Sequence, residues 1–498
     1  MRTCEASRPG AAGAVRASRA PWLVLALPLL VAACAPLPAW QHPASLDAAV
    51  PTSLSAAQGA ARADWPQAAW WQRYGNPQLN ALIDEALQGA PDMAAAAARV
   101  RQAEAMLGVS ESATAPQISA NANAAAEKYS YNYLTPSTMV PHGLNDTGRA
   151  TLDLRWSLDL WGKHRAAVAA AAGEVEARKA DAAQAQLVLA SSIASAYADL
   201  VRLSASERTL QQSAQLRAKT AQLFEERFAN GLENQGSVHS AKARQAAAQA
   251  ELAQVQEQLG LQRNRIAALM GASPERGMQI TVPDAVLQQP WQQQWALPEN
   301  LPASLLGRRP DVVAARLQAE ALRSRVDAKE AEFYPDVNLS AFFGLQSLGL
   351  DMLFKRGSVV GNVGPAISLP IFNGGRLKSE LGASRAKYDE AVALYQGTLT
   401  RALQEVADNA VSQRALQQQL GAMQTAVNAA TEAHRVARNR YEGGLSNYLE
   451  VLSAEDQLLA NVRQLVDVQS RALSLDVALH RALGGGWQAA ASTRTAAK

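Results

Sequence analysis

The chain has few of the features on which helical membrane proteins and disulfide-stabilised proteins depend. Of its 498 residues, 5% are aromatic, two are cysteines, and no run of about 20 apolar residues occurs, although 48% of the residues are hydrophobic. The longest apolar stretch, residues 21–36, is shorter than a transmembrane helix and lies near the N-terminus. The sequence therefore predicts that the bulk of the chain does not cross a membrane as helices.

Signals of catalysis and of nucleic-acid binding are missing as well. The six histidines do not show a His-x-x-x-His spacing, and neither a Gly-x-Ser-x-Gly motif nor a phosphate-binding loop is present. The formal net charge is +3, and Lys and Arg are dispersed among acidic residues instead of clustered as phosphate recognition requires. We expect a protein that is not an enzyme, holds no metal or other cofactor, and binds no nucleic acid.

The N-terminal segment, residues 1–33, is predicted to be an export signal. Four arginines precede a short apolar stretch, residues 22–31, and small residues follow it, which is typical of a secretory signal peptide. Ala32 and Ala33 precede Cys34 in a pattern that resembles the lipobox of bacterial lipoproteins, in which the cysteine is acylated and becomes the new N-terminus. The alternative is an ordinary signal peptide with an incidental cysteine. Ala35 stands where an aspartate would be the inner-membrane retention signal, so the resemblance implies an outer-membrane lipoprotein whose covalent lipid is on Cys34.

The remainder of the chain contains an internal sequence repeat. Pro91 and Pro116 recur, at one common offset, as Pro310 and Pro335. Downstream matches share a second, slightly shorter offset, and they are Gly162 with Gly375, Arg227 with Arg440, Gly231 with Gly444, and Gly271 with Gly484. This self-similarity predicts two repeats, residues 91–271 and 305–484, with a longer connection in the first copy between Pro116 and Gly162.

Each repeat begins with a helix and continues with a β-hairpin. Residues 91–114 and 310–332 are rich in Ala, Arg and Glu behind a Pro-Asp opening, which predicts helices. After Pro335 the pattern changes to strict alternation of apolar and polar residues, and the first copy repeats it after Pro116. The hairpins are predicted over 117–160 and 336–372.

Two long helices and two return helices complete the repeats. Residues 163–229 and 376–442 contain no proline, and as continuous helices each would be about 100 Å long. Tips at 230–237 and 443–447 turn the chain into return helices at 238–270 and 448–483. Apolar residues seven apart, from the second tip through its return helix, predict coiled-coil packing; they are Leu445, Leu452, Leu459, Val466 and Leu473.

The segments outside the repeats, residues 34–90, 272–304 and 485–498, lack a long period and are rich in Pro, Gln and Trp. We expect them to form a collar beside the helices, in which the tryptophans serve packing and not ligand binding. They include Trp65, Trp70, Trp71, Trp291, Trp295 and Trp487.

The four strands carry an apolar face and a polar face. In lipid a β-sheet satisfies every backbone group only as a closed barrel, and the smallest membrane barrels have eight strands, so the four strands of one chain cannot close a barrel. Two chains would supply eight strands and three chains twelve; a wider barrel leaves a polar lumen. The competing interpretation is the edge of a soluble sandwich. The polar faces suit a channel, and their residues are Gln117, Ser119, Asn121, Asn123, Asp336, Asn338 and Ser340.

Five motifs of the sequence match a known family. The chain resembles the TolC-like outer membrane factors, the outer membrane efflux proteins, and in particular their lipidated NodT-type branch. The resemblance covers nearly everything after Cys34 and rests on five motifs in order: Trp70-Trp71 with Tyr74 to Leu79, Leu158 to Lys163, Gly307 to Val312, Ser368 to Arg376, and Ala482 to Trp487.

The resemblance implies a mixed α/β membrane protein that assembles as a homotrimer. Each chain would give four strands to a twelve-stranded outer-membrane β-barrel, which continues as an α-helical coiled-coil tunnel across the periplasm. The implied function is a passive conduit for drugs and toxic compounds, loaded by a periplasmic membrane-fusion adaptor and an inner-membrane pump, most often of the resistance-nodulation-division type. The alternative is a non-transporting coiled-coil lipoprotein that scaffolds the envelope.

The same resemblance assigns residues to a gate and to an adaptor contact at the tips. Carried over by position, the gate residues are Tyr441, Glu450, Ser446, Ser453 and Ser237. Tyr441 and Glu450 match the family in type, whereas serines replace its arginine and two acids, so the family's ion-pair lock is not expected here.

The tip glycines, Gly231 and Gly444, fit helix C-caps. Leu232 and Leu445 follow them as apolar residues at a polar turn, and the resemblance makes them adaptor contacts. The alternative is that these leucines staple their own turn.

Overall fold

The computed structural model describes residues 37–40, 44–46, 61–62, 64–133, 136–283, 296–297 and 307–489. These residues form two compact units, and each combines segments from both predicted repeats. The first contains Ser110–Val168 and Ser324–Ala386 with the described residues before Pro43. The second contains the described parts of Ala44–Val109, Ala169–Arg323 and Lys387–Lys498. Cys34, Trp291 and Trp295 lie outside the described residues.

The first unit contains a four-stranded antiparallel sheet. Its strands are β1 (Gln117–Glu127), β2 (Asn145–Ser157), β3 (Asp336–Leu348) and β4 (Val359–Ser368). They lie in the order β1-β2-β3-β4, so the two predicted hairpins join through β2 and β3. The strands β1 and β4 are the two edges of this sheet.

The helices, in chain order, follow the predicted pattern with additions outside the repeats. They are α1 (Pro77–Gly89), α2 (Pro91–Ser112), α3 (Lys163–Ala229), α4 (Gln235–Leu269), α5 (Pro274–Met278), α6 (Pro310–Ala331), α7 (Arg376–Glu442) and α8 (Tyr448–Ala482). The long helices α3 and α7 have the predicted bounds and 67 residues each. The return helices α4 and α8 have 35 residues each, and α4 begins at Gln235, slightly earlier than predicted.

Both long helices end in the same turn. The amide of Leu232 donates to the carbonyl of Arg227 at 2.9 Å, and Gly231 has a φ of 70°. In the second copy Leu445 donates to Arg440 at 2.8 Å, and Gly444 has a φ of 71°. This pattern is a Schellman C-cap, which needs a residue in the left-handed region and therefore favours glycine. Each return helix then starts behind an asparagine cap, Asn234 and Asn447.

The second unit is held together around α1, a helix that the sequence analysis missed. The side chain of Asn76 caps it by accepting from the amides of Gln78 and Leu79, at 3.0 and 3.1 Å. The side-chain amide of Asn76 also donates to the hydroxyl of Tyr197 on α3 at 3.0 Å. Four apolar side chains of α1 lie in the largest core cluster; these are Leu79, Leu82, Ile83 and Ala86.

A tryptophan-rich turn docks the segment before α1 onto the end of α8. The ring of Trp70, 3% exposed, stacks on the ring of His480 at 5.1 Å and an angle of 14°. Arg73 Nη1 donates to His480 Nε2 at 2.7 Å, and the hydroxyl of Tyr74 donates to Asp476 at 2.6 Å. Burial, together with the Arg73 charge, lowers the pKa of His480 to about 4. The predicted packing role therefore holds for Trp70, which lies in the core.

A buried arginine connects three more segments of the second unit. Arg309, 5% exposed, donates to both oxygens of Asp311, at 3.0 and 2.6 Å. It also donates to Glu405 on α7 at 2.8 Å and to the carbonyl of Ala482 at 3.0 Å. Four charge-assisted bonds compensate for the burial of this guanidinium.

Among the described helices, one is apolar enough over an 18-residue window to span a membrane, although the sequence analysis found no such segment there. This window lies in α3, has a mean hydropathy of 1.3, and is 67% buried inside the protein. Serines, alanines and single charges interrupt the apolar run, so the sequence does not show it as one continuous apolar segment. Its burial identifies it as a core helix.

Candidate functional site

The apolar face of the sheet is exposed, as a membrane-facing surface requires. The register places Leu152 opposite Phe343, and Val363 opposite Ala341, so these residues share one face. Large side chains there are exposed by half or more, which is unusual for a soluble protein. They are Ile118 (70%), Leu152 (56%), Phe343 (65%), Val363 (74%) and Ile367 (71%).

The opposite face carries a network of polar side chains. Asp153 of β2 accepts from the Asn121 side chain at 2.8 Å and from the Thr151 hydroxyl at 2.9 Å. The register brings the predicted polar residues Ser119 and Asn121 of β1 onto this face with Asp153. The polar residues of β1 and β3 were predicted from the sequence, whereas those of β2, which include Arg149, Thr151 and Arg155, were not. Strict alternation along β2 is the signal that would have found them.

Phe342 departs from the polar character of this face. It lies opposite Asp153 in the register, and the guanidinium of Arg149 lies 5.0 Å from the centre of its ring. A cation over an aromatic face is attracted by the ring quadrupole. This contact offsets the exposure of an aromatic ring among polar groups.

Tyr441, a predicted gate residue, lies in an aromatic cluster where α7 ends. Its hydroxyl accepts from Arg227 Nη1 at 2.9 Å, and its ring meets the ring of Tyr448 at 4.9 Å. Tyr448 in turn lies 5.0 Å from the ring of Phe224 and bonds the hydroxyl of Thr220 at 3.2 Å. The ends of the two long helices are thus joined by one polar bond and a chain of rings. The sequence motifs indicated no role at the gate for Arg227 or for Tyr448.

The other predicted gate residues do not gather around Tyr441 through side-chain bonds. Glu450 pairs with Arg440 at 3.4 Å, and both side chains are about half exposed. Ser446 Oγ is buried and has no hydrogen-bond partner among the described residues. Ser453 is exposed, and the amide of Ser237 belongs to the Asn234 cap. The predicted set therefore contains one arginine-bonded tyrosine and one ion-paired carboxylate.

The predicted adaptor contacts are exposed. Leu232 is 67% exposed and Leu445 is 74% exposed. Phe228 and Leu449, also at the tips, are 46% and 59% exposed. Exposed leucines at both equivalent turns form apolar points on an otherwise polar surface.

A set of ion pairs joins α8 to the first-repeat helices above the tip. Asp456 on α8 accepts from Arg217 of α3 at 2.7 Å and also from Arg244 of α4. Its neighbour Glu455 is 5% exposed, and burial raises the pKa of the Glu455 carboxyl. Farther along α8, Arg463 pairs with Glu251 at 2.6 Å. Sequence patterns do not reveal these pairs, because the paired residues lie far apart along the chain.

Within the described part of the chain, His, Cys, Asp and Glu do not form a group of three that could hold a metal ion.

Comparison with known proteins gives a consistent result. The family model described as outer membrane efflux protein matches residues 82–272 and 301–485, once in each half. The multidrug resistance outer membrane protein MdtP of Escherichia coli (strain K12) is 32% identical over 436 residues, which are 86% of this chain and 88% of MdtP. The fusaric acid resistance protein FusA of Burkholderia cepacia is 36% identical over 371 residues, covering 73% of this chain and 68% of FusA.

Among solved structures, the outer membrane protein VceC of Vibrio cholerae is similar with a TM-score of 0.78 and 46% identity. The match covers 85% of this chain and all of VceC. The outer-membrane channel OprN is similar with a TM-score of 0.80 and 28% identity, over 91% of this chain and 99% of OprN.

Proposed function

Because this chain belongs to the outer membrane efflux protein family, we propose that it is the outer-membrane conduit of a three-part export system. A periplasmic adaptor and an inner-membrane pump, of the resistance-nodulation-division type, load the conduit. The protein performs no bond chemistry, and the pump supplies the energy. Transported compounds are small organic molecules; relatives are named for multidrug resistance and for fusaric acid resistance.

The exposed apolar face of the four-stranded sheet carries this proposal. A surface with Phe343 65% exposed and Val363 74% exposed suits lipid and not water. In the described part of the chain the sheet has two unpaired edges, which lipid does not tolerate. Three copies, the products of an internally duplicated gene, close a barrel of twelve strands whose polar faces line the lumen. Helices of 67 residues, about 100 Å long, suit a tunnel across the periplasm.

The conduit is gated where the long helices end. Tyr441 and Glu450 are the gate residues, with Ser446, Ser453 and Ser237 at the positions to which the resemblance assigns the family's arginine and two of its acids. Arg227 supports the gate because it donates to the Tyr441 hydroxyl at 2.9 Å. In planar bilayers, Tyr441→Ala and Glu450→Gln trimers should conduct more than the parent protein. Conductance equal to the parent in both variants would refute the gate assignment.

Docking of the adaptor involves Gly231 and Leu232 in the first copy and Gly444 and Leu445 in the second. The leucines are exposed and repeat at equivalent turns, whereas a leucine that only staples its own turn would be covered. A Leu232→Ser, Leu445→Ser double variant should lose efflux in cells while its purified trimer keeps normal conductance. Normal efflux by this variant would contradict the docking role.

The N-terminus is anchored in the outer membrane by a lipid on Cys34. In support, Arg385 donates to the carbonyl of Pro38 at 2.6 Å and lies against the ring of Trp40. These contacts hold the chain shortly after the cysteine beside α7. Cells fed radioactive palmitate should label the parent protein and not Cys34→Ser. Labelling of both would show that the signal is not a lipoprotein signal.

The overall proposal is tested against the scaffold alternative by reconstitution. Purified protein should form a detergent-resistant trimer whose gel mobility changes on heating, and should make ion-conducting pores in liposomes. A helical scaffold without a barrel would give neither result.

A further inference from the structure

The two edges of the sheet, β1 and β4, define how neighbouring copies join. Among the residues that the structure describes, each edge strand pairs on one side only. Building on the proposed trimeric barrel, we propose that β4 of one copy pairs antiparallel with β1 of the next, in the register that sets Ser368 opposite the partner's Asn121. The occupant of each edge is therefore a second copy of this chain.

The two hairpins have the same internal register. In the first, Gln117 pairs with Arg155; in the second, Asp336 pairs with Ser368. Asp336 is related to Gln117 by the longer offset of the sequence repeat, which also relates Pro335 to Pro116. Ser368 is related to Arg155 by the shorter offset, which also relates Gly375 to Gly162. The paired strands of the two hairpins are therefore equivalent residue by residue, although their connections differ in length.

The junction between the hairpins supplies the template for the junction between copies. Within the chain, Arg155 of β2 lies opposite Ser340 of β3. Through the same two offsets, the equivalent of Arg155 is Ser368 and the equivalent of Ser340 is Asn121. Repetition of this junction around the barrel places Ser368 opposite the partner's Asn121 and Ile367 opposite the partner's Ala122.

The faces of the sheet agree with this register. Ser368 shares the polar face with Asp336, and Asn121 shares it with Asp153. Ile367, which is 71% exposed, lies on the apolar face of β4, and Ala122 lies on the apolar face of β1. A slip of one residue would exchange the two faces at the junction. Only slips of two residues compete, and they would set Ser368 opposite the partner's Ser119 or the partner's Asn123.

The backbone hydrogen bonds of the sheet determine whether Ser368 and the partner's Asn121 form a hydrogen-bonded or a non-hydrogen-bonded pair. Leu158 donates to the carbonyl of Val337 at 2.8 Å across the β2–β3 junction, so residues of the apolar face make the bonds there. Gln346 donates to Ser358 at 2.8 Å, so β3 uses its polar-face residues toward β4. The apolar-face residues of β4 therefore direct their amides and carbonyls to the free edge.

It follows that Ser368 and the partner's Asn121 form a pair without mutual backbone hydrogen bonds. The Cα atoms of such a pair are about 4.5 Å apart, which lies within the range for a disulfide. At Pro365, which lies opposite the partner's Ala124, the ladder lacks one amide donor. In a single chain β4 is an edge strand, where proline is tolerated, and in the trimer the junction therefore forms with one hydrogen bond fewer.

Cysteine cross-linking tests the register. In Ser368→Cys, Asn121→Cys, mild oxidation should give covalent dimers and trimers on denaturing gels, and each single variant should stay monomeric there. The controls are Ser368→Cys with Ser119→Cys and Ser368→Cys with Asn123→Cys. Their diagonal Cα distances are about 7–8 Å, too long for efficient bridging. We expect at least tenfold less covalent trimer from either control at equal oxidation.

The outcomes separate this proposal from the one on which it rests. Native mass spectrometry in detergent first establishes whether each variant is trimeric. Trimers that cross-link through Ser119 or Asn123, or through none of the three positions, would overturn the register and leave the trimer intact. A parent protein that is monomeric would overturn the trimeric conduit itself.

Discussion

The stacked and buried His480 should make the stability of this protein depend on pH. Arg73 is always charged and can only donate, so His480 Nε2 must accept and the ring must be neutral. Its pKa is lowered from 6.5 to about 4 by burial and by the neighbouring Arg73 charge, while Asp476 opposes this shift. In the unfolded chain the imidazole of His480 takes up its proton with the ordinary pKa of histidine.

The sign and the size of the effect follow from proton linkage. Between pH 6.5 and about 4 the unfolded chain binds a proton that the folded chain does not bind, so folding stability falls as the pH falls through this window. At about 1.4 kcal/mol for each pH unit, the loss reaches about 2 kcal/mol per chain at pH 5 and about 3 kcal/mol at pH 4. Above about pH 7.5 the ring is neutral in the folded and the unfolded chain alike, so none of this stability is lost.

The perturbation is His480→Gln, whose amide oxygen keeps an acceptor for Arg73 but does not titrate. Thermal unfolding of the detergent-solubilised protein, followed by helical circular dichroism, gives the midpoint at pH 7.5, 6 and 5. The midpoint of the parent should fall more steeply with decreasing pH than that of the variant. His239→Gln, which removes an exposed histidine, serves as the control and should follow the parent. Equal pH dependence in the parent and in His480→Gln would refute the reasoning.

Three further substitutions test other parts of the fold. Arg309→Met should lower stability by about 2 kcal/mol in thermal unfolding, less than for a fully buried pair because Glu405 is 38% exposed; an unchanged midpoint would contradict this. Gly484→Ala should destabilise the protein by more than about 1 kcal/mol, because the φ of Gly484 is 84° and a Cβ there would collide with the Arg308 carbonyl. The control Gly421→Ala should not destabilise the protein, because a Cβ at Gly421 meets no atom within 4 Å. Pro365→Val should raise the temperature at which the trimer dissociates on gels by restoring an edge donor, and a lower temperature would count against the proposed junction.

Regular periods in the sequence predicted most of the fold. Alternation after Pro116 and Pro335 predicted the strands, and the proline-free segments predicted α3 and α7 with their observed bounds. The helix α1 was missed although Asn76, Pro77 and four apolar residues at helical spacing were visible, because its surroundings are rich in Trp and Gln. Short helices in such segments have a weak signal beside long repeats.

The contacts at the helix tips were less predictable. The bond from Arg227 to Tyr441 joins residues 214 positions apart, and the pair of Asp456 with Arg244 joins residues 212 positions apart. Periodicity assigns a residue to a face but does not say which side chain on another helix it meets. Resemblance identified Tyr441 and Glu450 by position, but their arginine partners became evident only from the geometry.

The two unpaired edges also have a genetic consequence. In the proposed trimer every copy offers β4 to one neighbour and β1 to the other, so one defective edge leaves the whole ring open. A cell that makes both normal and edge-defective chains would incorporate a defective copy into most of its rings. Mutations at these edges should therefore be dominant, whereas mutations that merely destabilise a chain before assembly should be recessive.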